Sequence, residues 1–176
     1  MEEYCLETAW GWVALAFTEK GLFSVSLPRE GLVPGKGAKV SLGSAMPQMV
    51  RNNILAMEGL RLYFQGTSMS FRNLELDFTG YSEFARGVFL RLREVPFGEV
   101  ISYKELARSS GNEKAARAVG AVLRSNRFLI VVPCHRVISS SGKLGGFASG
   151  LEWKRKLLWW ESFIKEGHKG RADIAH

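Results

Sequence analysis

The stretch FLIVVPCHRV, residues 128–137, joins a continuous apolar run to a cysteine and a histidine in adjacent positions. Five consecutive apolar residues predict a buried strand, because a strand covered on both faces needs no polar alternation. Pro133 fixes its own φ and lacks an N–H, so it predicts a departure from strand geometry just before Cys134. The stretch therefore predicts a fold in which a buried segment presents Cys134 and His135 at its end.

A thiol beside an imidazole is a pattern typical of nucleophilic chemistry. Cysteine reacts as the thiolate, and a neighbouring histidine, further basic residues and a partly open site lower the thiol pKa. Adjacent residues of an extended chain point to opposite sides, so an interaction between Cys134 and His135 requires a turn or a bridging water. A buried cysteine without chemistry is the alternative that these two residues alone leave open.

Two short helices are predicted upstream of this stretch. Ser102 and Glu105 form a capping box that starts the first helix, Gly111 ends it, and Asn112 can cap a second helix through about Leu123. Two helices across a tight glycine turn indicate a helix-turn-helix. An earlier helix is capped by Ser82, ends at Pro96, and has an apolar face made of Phe84, Val88 and Leu92.

The second of the two short helices is rich in small residues and carries Arg117 and Arg124 on one face. A small-residue surface lets a helix approach another backbone closely, and the two arginines bracket that surface. An alanine-rich helix packed against its own core is the alternative. The small residues are Ala115, Ala116, Ala118, Gly120 and Ala121.

The N-terminal part predicts a small α/β unit. Alternating runs over residues 13–17 and 22–27, with a turn at 19–21, indicate a β-hairpin or meander. Residues 28–45 are rich in glycine and proline and predict a loop, and residues 46–64 have helical spacing of Val50, Ile54, Met57, Leu60 and Phe64. We place a domain boundary near Gly80, which gives an α/β domain over residues 1–80, a mostly helical domain over 81–165 and a tail over 166–176.

Composition and charge narrow the classes of function. The chain has 176 residues, 46% of them hydrophobic, without an apolar run of about 20 residues or a signal-peptide pattern at the N-terminus, so we expect a cytoplasmic protein. Cys5 has no histidine or cysteine companions, so no metal is expected. Nine of the basic residues and only two acidic ones lie between Asn112 and Lys156, which accounts for the whole net charge of +7. Clustered positive charge indicates binding to a phosphate backbone, although a solvated basic face without a partner has the same composition.

Residues 96–161 resemble the C-terminal domain of the O6-alkylguanine-DNA alkyltransferases, whose hallmark is the Pro-Cys-His-Arg-Val pentapeptide found here at 133–137. Residues 1–80 resemble the variable N-terminal domain of that family in outline, through Tyr63-Phe64-Gln65-Gly66, which implies a ribonuclease H-like sheet domain. Other motifs in the order and spacing of the family are Phe97-Gly98-Glu99-Val100-Ile101-Ser102-Tyr103, Ala115-Ala116-Arg117-Ala118-Val119-Gly120, Asn126, Gly145-Gly146-Phe147, Gly150-Leu151 and Lys154 to Leu158.

The resemblance implies catalytic roles for five residues. Cys134 would accept the alkyl group, His135 would act through a water as the base that generates the thiolate, and Glu161 would orient that histidine. Asn126 resembles the hinge between the recognition helix and the reactive segment. Tyr103 would donate to the guanine ring as it leaves and assist nucleotide rotation. Ser149 and Glu152 predict a capping box at the start of the helix of residues 153–164 that carries Glu161.

The resemblance also implies the contacts with DNA. Arg117 would enter the minor groove and fill the gap left by the flipped base, and the guanine pocket would include Phe147, where the family usually has tyrosine, and Ser149, where glycine is frequent. These two departures leave tolerance for bulky alkyl groups open. The complete sets are Arg117, Tyr103, Arg124, Ala116, Ala118 and Ser102 for DNA, and Val137, Phe147, Ala148, Ser149 and Arg136 for the pocket.

The implied function is the irreversible transfer of an alkyl group, methyl above all, from O6 of guanine in double-stranded DNA to Cys134. Such a protein acts once per molecule, as a monomer, without a cofactor. One alternative is a protein that recognises alkylated DNA without repairing it, although relatives of that kind lack the reactive cysteine. A cysteine hydrolase using Cys134 and His135 is a second alternative, and it gives the basic helix-turn-helix no role.

Overall fold

A computed structural model describes residues 1–29 and 47–167. The predicted loop over residues 28–45 and the predicted tail fall almost wholly outside these ranges. The described elements are β1 (Glu2–Thr8), β2 (Gly11–Thr18), β3 (Gly21–Val25), α1 (Pro47–Phe64), α2 (Glu83–Leu92), β4 (Ile101–Ser102), α3 (Tyr103–Ser109), α4 (Ala116–Arg124), β5 (Val137–Ile138) and α5 (Leu151–Lys165). The predicted mixed α/β class is confirmed.

The first three strands form an antiparallel sheet in the order β1-β2-β3, which confirms the predicted meander. The predicted turn at residues 19–21 is present, because Thr18 pairs with Gly21 across it. Alternate residues of β2 lie in the core, as the apolar alternation predicts: Val13, Leu15 and Phe17 are all buried.

Helix α1 packs its buried face, which includes Ala56, Leu60 and Tyr63, into the same core as this sheet. The inclusion of Ile54 in the predicted apolar face is wrong, since its side chain is 46% exposed. Gly66 ends the helical segment with a φ of +85°, and a Cβ there would lie 2.7 Å from Cδ1 of Ile164 on α5.

The N-terminal sheet is joined directly to the C-terminal half of the chain. The amide of Val25 donates to the carbonyl of Arg127 at 2.8 Å, and Val25 and Phe128 form an isolated parallel β-bridge. One hydrophobic core includes residues from both halves, so the reactive region is built on a common support. The boundary near Gly80 and the ribonuclease H-like description of residues 1–80 stay predictions.

The predicted caps of α2 and α3 are confirmed. Ser82 Oγ accepts from the amide of Ala85 at 3.2 Å. Ser102 Oγ accepts from the amide of Glu105 at 3.1 Å, while Glu105 Oε2 accepts from the amide of Ser102 at 2.8 Å. These two reciprocal bonds are those of a capping box. The predicted apolar face of α2 is wrong in one residue: Phe84 is 38% exposed, and Phe89 is buried in the core instead.

Between α3 and α4 the chain turns at Gly111 and continues through a short 3₁₀ turn, Glu113–Ala115. Asn112 caps this turn, because its Oδ1 accepts from the amide of Lys114 at 3.0 Å. The cap is therefore confirmed, although the α-helix itself begins at Ala116.

The strand predicted over residues 128–132 is wrong in its conformation and right in its burial. Ile130 has a φ of +71°, and the amide of Val132 donates to the carbonyl of Phe128 at 2.8 Å, so the segment is a buried turn. A run of apolar residues predicts that a segment is buried. It does not predict whether the segment is a strand or a turn whose backbone groups are hydrogen-bonded within the turn. The predicted departure at Pro133 is confirmed, because Cys134–Arg136 form a 3₁₀ turn.

The capping box predicted from Ser149 and Glu152 is also wrong. Helix α5 begins at Leu151, after Gly150 with a φ of +94°, and no side chain caps its first turn. A left-handed glycine immediately before the helix gives the chain an entry direction that places Ser149 away from the first helical amides.

Candidate active site

A cleft of about 630 Å³ opens between α3, α4 and the loop that precedes α5. Its volume lies in the range of pockets that hold small molecules or single bases. The sulfur-bearing Cys134 is part of its lining, at 5% exposure. The lining residues are Tyr103, Ala116, Arg117, Gly120, Leu123, Arg124, Cys134, Gly146, Phe147 and Ala148.

Asn126 fixes the position of the Cys134 sulfur. Its Nδ2 donates to the Cys134 sulfur at 3.0 Å and to the carbonyl of Val132 at 2.9 Å, and its Oδ1 accepts from the amide of Phe128 at 2.9 Å. One side chain thus satisfies the backbone of the buried turn and contacts the thiol.

The thiol is protonated in the free protein. Burial raises the pKa of Cys134 to about 11, against the hydrogen bond from Asn126 and the positive charge of Lys154, which lower it. The expectation that the basic neighbours hold the thiol pKa low is therefore wrong for the free protein, because desolvation dominates. A thiolate must be generated by transferring the proton to a base.

His135, which shares the 3₁₀ turn of residues 134–136 with Cys134, forms a buried pair with Glu161. His135 Nε2 and Glu161 Oε1 are 2.7 Å apart, and both side chains are fully buried. Burial lowers the pKa of His135, and this effect outweighs the charge of Glu161, which raises it. The imidazole is therefore neutral in the free protein. Once it accepts a proton, the adjacent carboxylate stabilises the imidazolium. His135 Nδ1 is buried and has no hydrogen-bond partner among the described residues.

Glu161 is an ionised carboxylate surrounded by donors. Burial alone would raise its pKa, but His135 and Arg136 outweigh burial and hold the pKa of Glu161 well below its ordinary value. Arg136 binds it with two nitrogens, Nε to Oε2 at 2.8 Å and Nη2 to Oε1 at 2.9 Å. Glu161 is therefore a fully buried, hydrogen-bonded carboxylate and not a solvated surface group.

Sequence reasoning assigned no role to two buried residues at the site. Lys154 is fully buried, and its Nζ donates to the carbonyls of Val137, at 2.6 Å, of Leu144 and of Gly146. Burial lowers the pKa of Lys154 to about 8, although the Cys134 sulfur opposes this. Tyr63 of α1 donates its hydroxyl to Glu161 at 2.9 Å. Only their presence in the family-like motifs marked these positions.

The predicted site residues separate into three groups. Seven line the cleft: Tyr103, Ala116, Arg117, Arg124, Cys134, Phe147 and Ala148. Three are bonded to the sulfur or to one another: Asn126, His135 and Glu161. Five do not line the cleft: Ser102, Ala118, Arg136, Val137 and Ser149.

The contacts of Arg136 are with the buried carboxylate: its guanidinium binds Glu161 and the carbonyl of Val95 and lies 5.8 Å from the centre of the Phe97 ring. The side chain of Val137 is fully buried, and Ser102 serves as the cap of α3. The pocket roles of Arg136 and Val137 and the DNA contact of Ser102 stay predictions. Ser149 is partly exposed in the loop before α5, and Ala118 lies exposed on α4.

Tyr103, at the first turn of α3, is bonded to the loop across the cleft. Its hydroxyl donates to the carbonyl of Gly146 at 3.3 Å, and a Cβ at Gly145 would lie 2.9 Å from that hydroxyl. Burial and the nearby sulfur raise the pKa of Tyr103, so the phenol keeps its proton. The cleft therefore has a proton donor on one wall and the thiol in its lining.

The positive charge of residues 112–156 is only partly available to a partner. Arg136 and Lys154 are buried and bonded, whereas Arg117 and Arg124 are exposed at the cleft. Within the described ranges, no group of three histidine, cysteine or acidic side chains could hold a metal ion, and no helix is both long and apolar enough to cross a membrane.

Comparison with known proteins places this site in a family. The family model described as 6-O-methylguanine DNA methyltransferase, DNA binding domain, matches residues 83–163. A human methylated-DNA–protein-cysteine methyltransferase is 33% identical over 175 residues, which cover 96% of this chain and 82% of the human one. The chain belongs to this methyltransferase family.

Two microbial relatives match a shorter region more strongly. The methyltransferase of Mycolicibacterium paratuberculosis is 50% identical and that of Methanosarcina acetivorans 47% identical, each over 103 residues or 58% of this chain. These matches span 61% and 65% of the two relatives, which is less than two thirds of their length.

Solved structures of the methyltransferase family share the fold. The Mycobacterium tuberculosis protein OGT, crystallised in complex with DNA, aligns with a TM-score of 0.70 and 31% identity over 93% of this chain and 94% of that chain. The O6-methylguanine-DNA methyltransferase of Pyrococcus kodakaraensis, at 23% identity, aligns with a TM-score of 0.61, which shows the fold alone.

Proposed function

We propose that this protein repairs DNA by transferring an alkyl group, methyl in the simplest case, from O6 of guanine to the sulfur of Cys134. The observation that carries the proposal is the position of Cys134 in the lining of a base-sized cleft, next in the chain to a histidine that forms a buried pair with Glu161. The names of the relatives and the DNA complex of the Mycobacterium tuberculosis neighbour support it.

The proton of the thiol passes through a water to His135 Nδ1, the buried nitrogen without a partner among the described residues, and Glu161 stabilises the resulting imidazolium. The thiolate attacks the alkyl carbon, so an S–C bond forms while the C–O6 bond breaks. The electron pair of the broken bond stays on guanine, which takes a proton from Tyr103. Return of the proton from His135 to Tyr103 leaves an alkylated cysteine and neutral guanine.

The product explains why each molecule acts once. A thioether is a poor leaving group, and no second nucleophile lines the cleft among the described residues. Water therefore does not release the alkyl group, in contrast to the acyl intermediate of a cysteine hydrolase.

We infer that α3 and α4 act as a helix-turn-helix on the minor groove of double-stranded DNA. The exposed surface of α4 carries small residues, Ala118 among them, between Arg117 and Arg124, so the helix can approach the sugar-phosphate backbone closely. The cleft admits the base only after it leaves the stack, as in other proteins that modify bases. Arg117 then occupies the gap that the flipped nucleotide leaves.

The proposal is tested by titrating a duplex that contains one O6-methylguanine with the protein and measuring the residual lesion by nucleoside chromatography. One lesion is lost per protein molecule, none with Cys134→Ala, and the full amount with Cys5→Ala, which removes the other cysteine. Loss of many lesions per molecule contradicts irreversible transfer. Tight binding to the duplex without loss would instead support the recognition-only alternative.

Two further conclusions from the sequence stay predictions. One is that the protein works as a monomer, and the other is that it is located in the cytoplasm. The absence of a cofactor and of a metal belongs with them, since it follows from the chemistry proposed for Cys134.

A further inference from the structure

The carboxylate of Glu161 receives one hydrogen bond from outside the C-terminal half of the chain. Oε1 accepts from His135 at 2.7 Å, from Arg136 at 2.9 Å and from the Tyr63 hydroxyl at 2.9 Å, and Oε2 accepts from Arg136 at 2.8 Å and from the amide of Gly98 at 3.0 Å. Tyr63 lies on α1, 98 positions before Glu161, and it shares its acceptor atom with the proposed base.

We propose that Tyr63 is a positioning residue of the alkyl transfer: its hydroxyl fixes Glu161 Oε1 against His135 Nε2 and limits the negative charge that the carboxylate presents to the imidazole. The proposal rests on the function proposed for Cys134. It gives the N-terminal part of the chain a role in the chemistry beyond support of the fold.

Tyr63 is held rigidly enough for this role. Its side chain is fully buried, and its ring packs edge-on against the rings of Phe64, with centres 5.2 Å apart, and Phe97, with centres 5.7 Å apart. Edge-to-face packing of this kind is a favourable arrangement of aromatic rings. Trp160, the residue before Glu161, donates its Nε1–H to the backbone carbonyl of Tyr63 at 3.1 Å. Two hydrogen bonds therefore tie α1 to consecutive residues of α5.

The hydroxyl can act only as a neutral donor. Burial and the charge of Glu161 raise the pKa of Tyr63 well above its ordinary value, so the phenol keeps its proton at every pH at which the protein works. Each donor to a carboxylate oxygen withdraws charge from it. Removal of the Tyr63 donor makes Glu161 a stronger acceptor for His135, which favours the imidazolium and leaves less neutral base for the thiol proton.

The other charged groups at the pair come from different elements and are unchanged by a substitution of Tyr63. Arg136 of the 3₁₀ turn and Lys154 of α5 both oppose the imidazolium, and the Cys134 thiol is the proton source. On the α1 side, Tyr63 is the residue bonded to Glu161. The change Tyr63→Phe keeps the ring and removes only the hydroxyl.

The test is the rate of methyl transfer to Tyr63→Phe protein, measured under single-turnover conditions with saturating methylated duplex between pH 5 and 9. The acid limb of the profile, where His135 becomes neutral, moves to higher pH, so the rate at a given pH on that limb falls about 3- to 10-fold, the range of one net hydrogen bond. The plateau rate stays within about twofold, and the duplex dissociation constant is unchanged, because Tyr63 lies outside the cleft.

The matched control is Tyr4→Phe, which removes a buried hydroxyl bonded to Glu2 and Asn53, and its profile coincides with the wild type. Incorporation of 3-fluorotyrosine at position 63 strengthens the donor and moves the limb to lower pH. An unmoved limb in both Tyr63 variants, or a rate lowered equally at every pH, overturns the proposal and leaves Tyr63 a packing residue.

A second readout separates this inference from the proposed function. The pKa of His135, followed by ring-carbon NMR in the DNA-free protein, rises in Tyr63→Phe and is unchanged in Tyr4→Phe. If the wild type transfers no methyl group, the proposed function fails, while the NMR titration still decides the effect of Tyr63 on His135. An unchanged His135 titration in Tyr63→Phe contradicts the inference whatever the wild type does.

Discussion

The side-chain amide of Asn126 both stabilises the buried turn and contacts the nucleophile. It replaces strand pairing for the buried turn by bonding to Phe128 and Val132, and it directs its remaining contact at the Cys134 sulfur. Buried backbone groups without partners are costly, so this one side chain makes the turn possible in an apolar environment. The position of the nucleophile and the stability of the turn therefore depend on the same residue.

Replacement of Asn126 by alanine leaves the amide of Phe128 and the carbonyl of Val132 without their side-chain partner. We expect the free energy of unfolding to fall by about 1 to 3 kcal/mol, the cost of the unsatisfied Phe128 amide, because the Val132 carbonyl still accepts from the amide of Cys134 at 2.8 Å. Urea denaturation measures this change. Asn53→Ala is the control, because Asn53 is as buried as Asn126 and, among the described residues, its side chain forms one long hydrogen bond, to Tyr4 at 3.4 Å. An equal loss in both variants would contradict the account.

At this scale the sequence predicts the chemistry better than the electrostatics. Adjacent cysteine and histidine are compatible with a nucleophile and a base, and the resemblance to the family favours those roles and adds Glu161. Sequence does not give burial of a particular sulfur, and burial is what raises the pKa of Cys134 to about 11. Nor does it reveal that Arg136 binds Glu161, because that contact depends on where α5 packs.

Among the elements, the loop of residues 139–150 closes the cleft through backbone contacts. Lys154 donates to two carbonyls of this loop, those of Leu144 and Gly146, and to the carbonyl of Val137 in β5, while Tyr103 packs against the loop at Gly145. A side chain at Gly145 would meet the Tyr103 hydroxyl at 2.9 Å, and the backbone there has a φ of +68°. The loop and the phenol therefore determine one another's position.

Gly145→Ala displaces Tyr103 and slows methyl transfer at least about 10-fold, the effect of losing a positioned acid. Gly142→Ala is the matched control: its φ is +79°, so it carries the same backbone strain, but nothing lies within 4 Å of the added carbon. Both variants lose about 1 to 2 kcal/mol of stability. Single-turnover rates separate them, and equal rates would show that contact with Tyr103 is unimportant.

Helix α4 is expected to contribute electrostatically to DNA binding through its exposed arginines. Arg124→Ala lowers the slope of log affinity against log salt concentration by about one, as loss of a phosphate contact does. Arg51→Ala, an exposed arginine on α1, removes the same charge away from the cleft and leaves the slope unchanged. Fluorescence anisotropy with an unmodified duplex measures both, and equal slopes in the two variants would contradict the docking of α4.

Helix starts are predictable where a side chain makes the cap, and less so where the backbone does. Ser82, Ser102 and Asn112 cap their helices as predicted, whereas α5 starts after a left-handed Gly150 that no capping pattern indicates. The apolar faces are right in period and wrong in single members, because Ile54 and Phe84 lie at the edge of the buried arc. Propensity and period do not resolve such edges.

The whole molecule is stabilised by the charges gathered at Glu161, which gives its stability a dependence on pH. The folded pKa of Glu161 lies well below its ordinary value. An unfolded chain gives a glutamate pKa of about 4.3, so the unfolded state binds more protons in acid. This contribution is fully present above the unfolded value and is lost as pH falls through it toward the folded one.

Glu161→Gln is expected to lower the free energy of unfolding at pH 7 by about 3 to 5 kcal/mol, because it leaves the buried charge of Arg136 unpaired. The difference from the wild type shrinks as pH falls from 5 to 3, because Glu161 of the unfolded wild-type chain takes up a proton in this range while the folded carboxylate stays ionised. Glu99→Gln is the control, since Glu99 forms an exposed pair with Lys165. Loss of such an exposed pair changes stability by less than about 1 kcal/mol. Urea titrations across this range check the sign, and a difference that grows in acid would contradict it.

At the scale of the molecule, the sequence predicts the order of the elements but not the contacts that distant elements make with one another. The meander, α1 and the reactive region are each visible as patterns. The bond from Tyr63 to Glu161 joins residues 98 positions apart, and local patterns carry no information about such a pairing. For that reason no contribution of the N-terminal part to the site could be predicted from the sequence.

The central claim is that the alkyl group ends on the sulfur of Cys134. Peptide mass spectrometry after reaction with a duplex carrying one O6-methylguanine tests it most directly. The account predicts that the peptide containing Cys134 gains one methyl group in place of a proton, saturating at one equivalent, and that Cys134→Ala protein gains none. A methyl group on another residue, or none on a protein that still binds the lesion duplex tightly, would contradict the account.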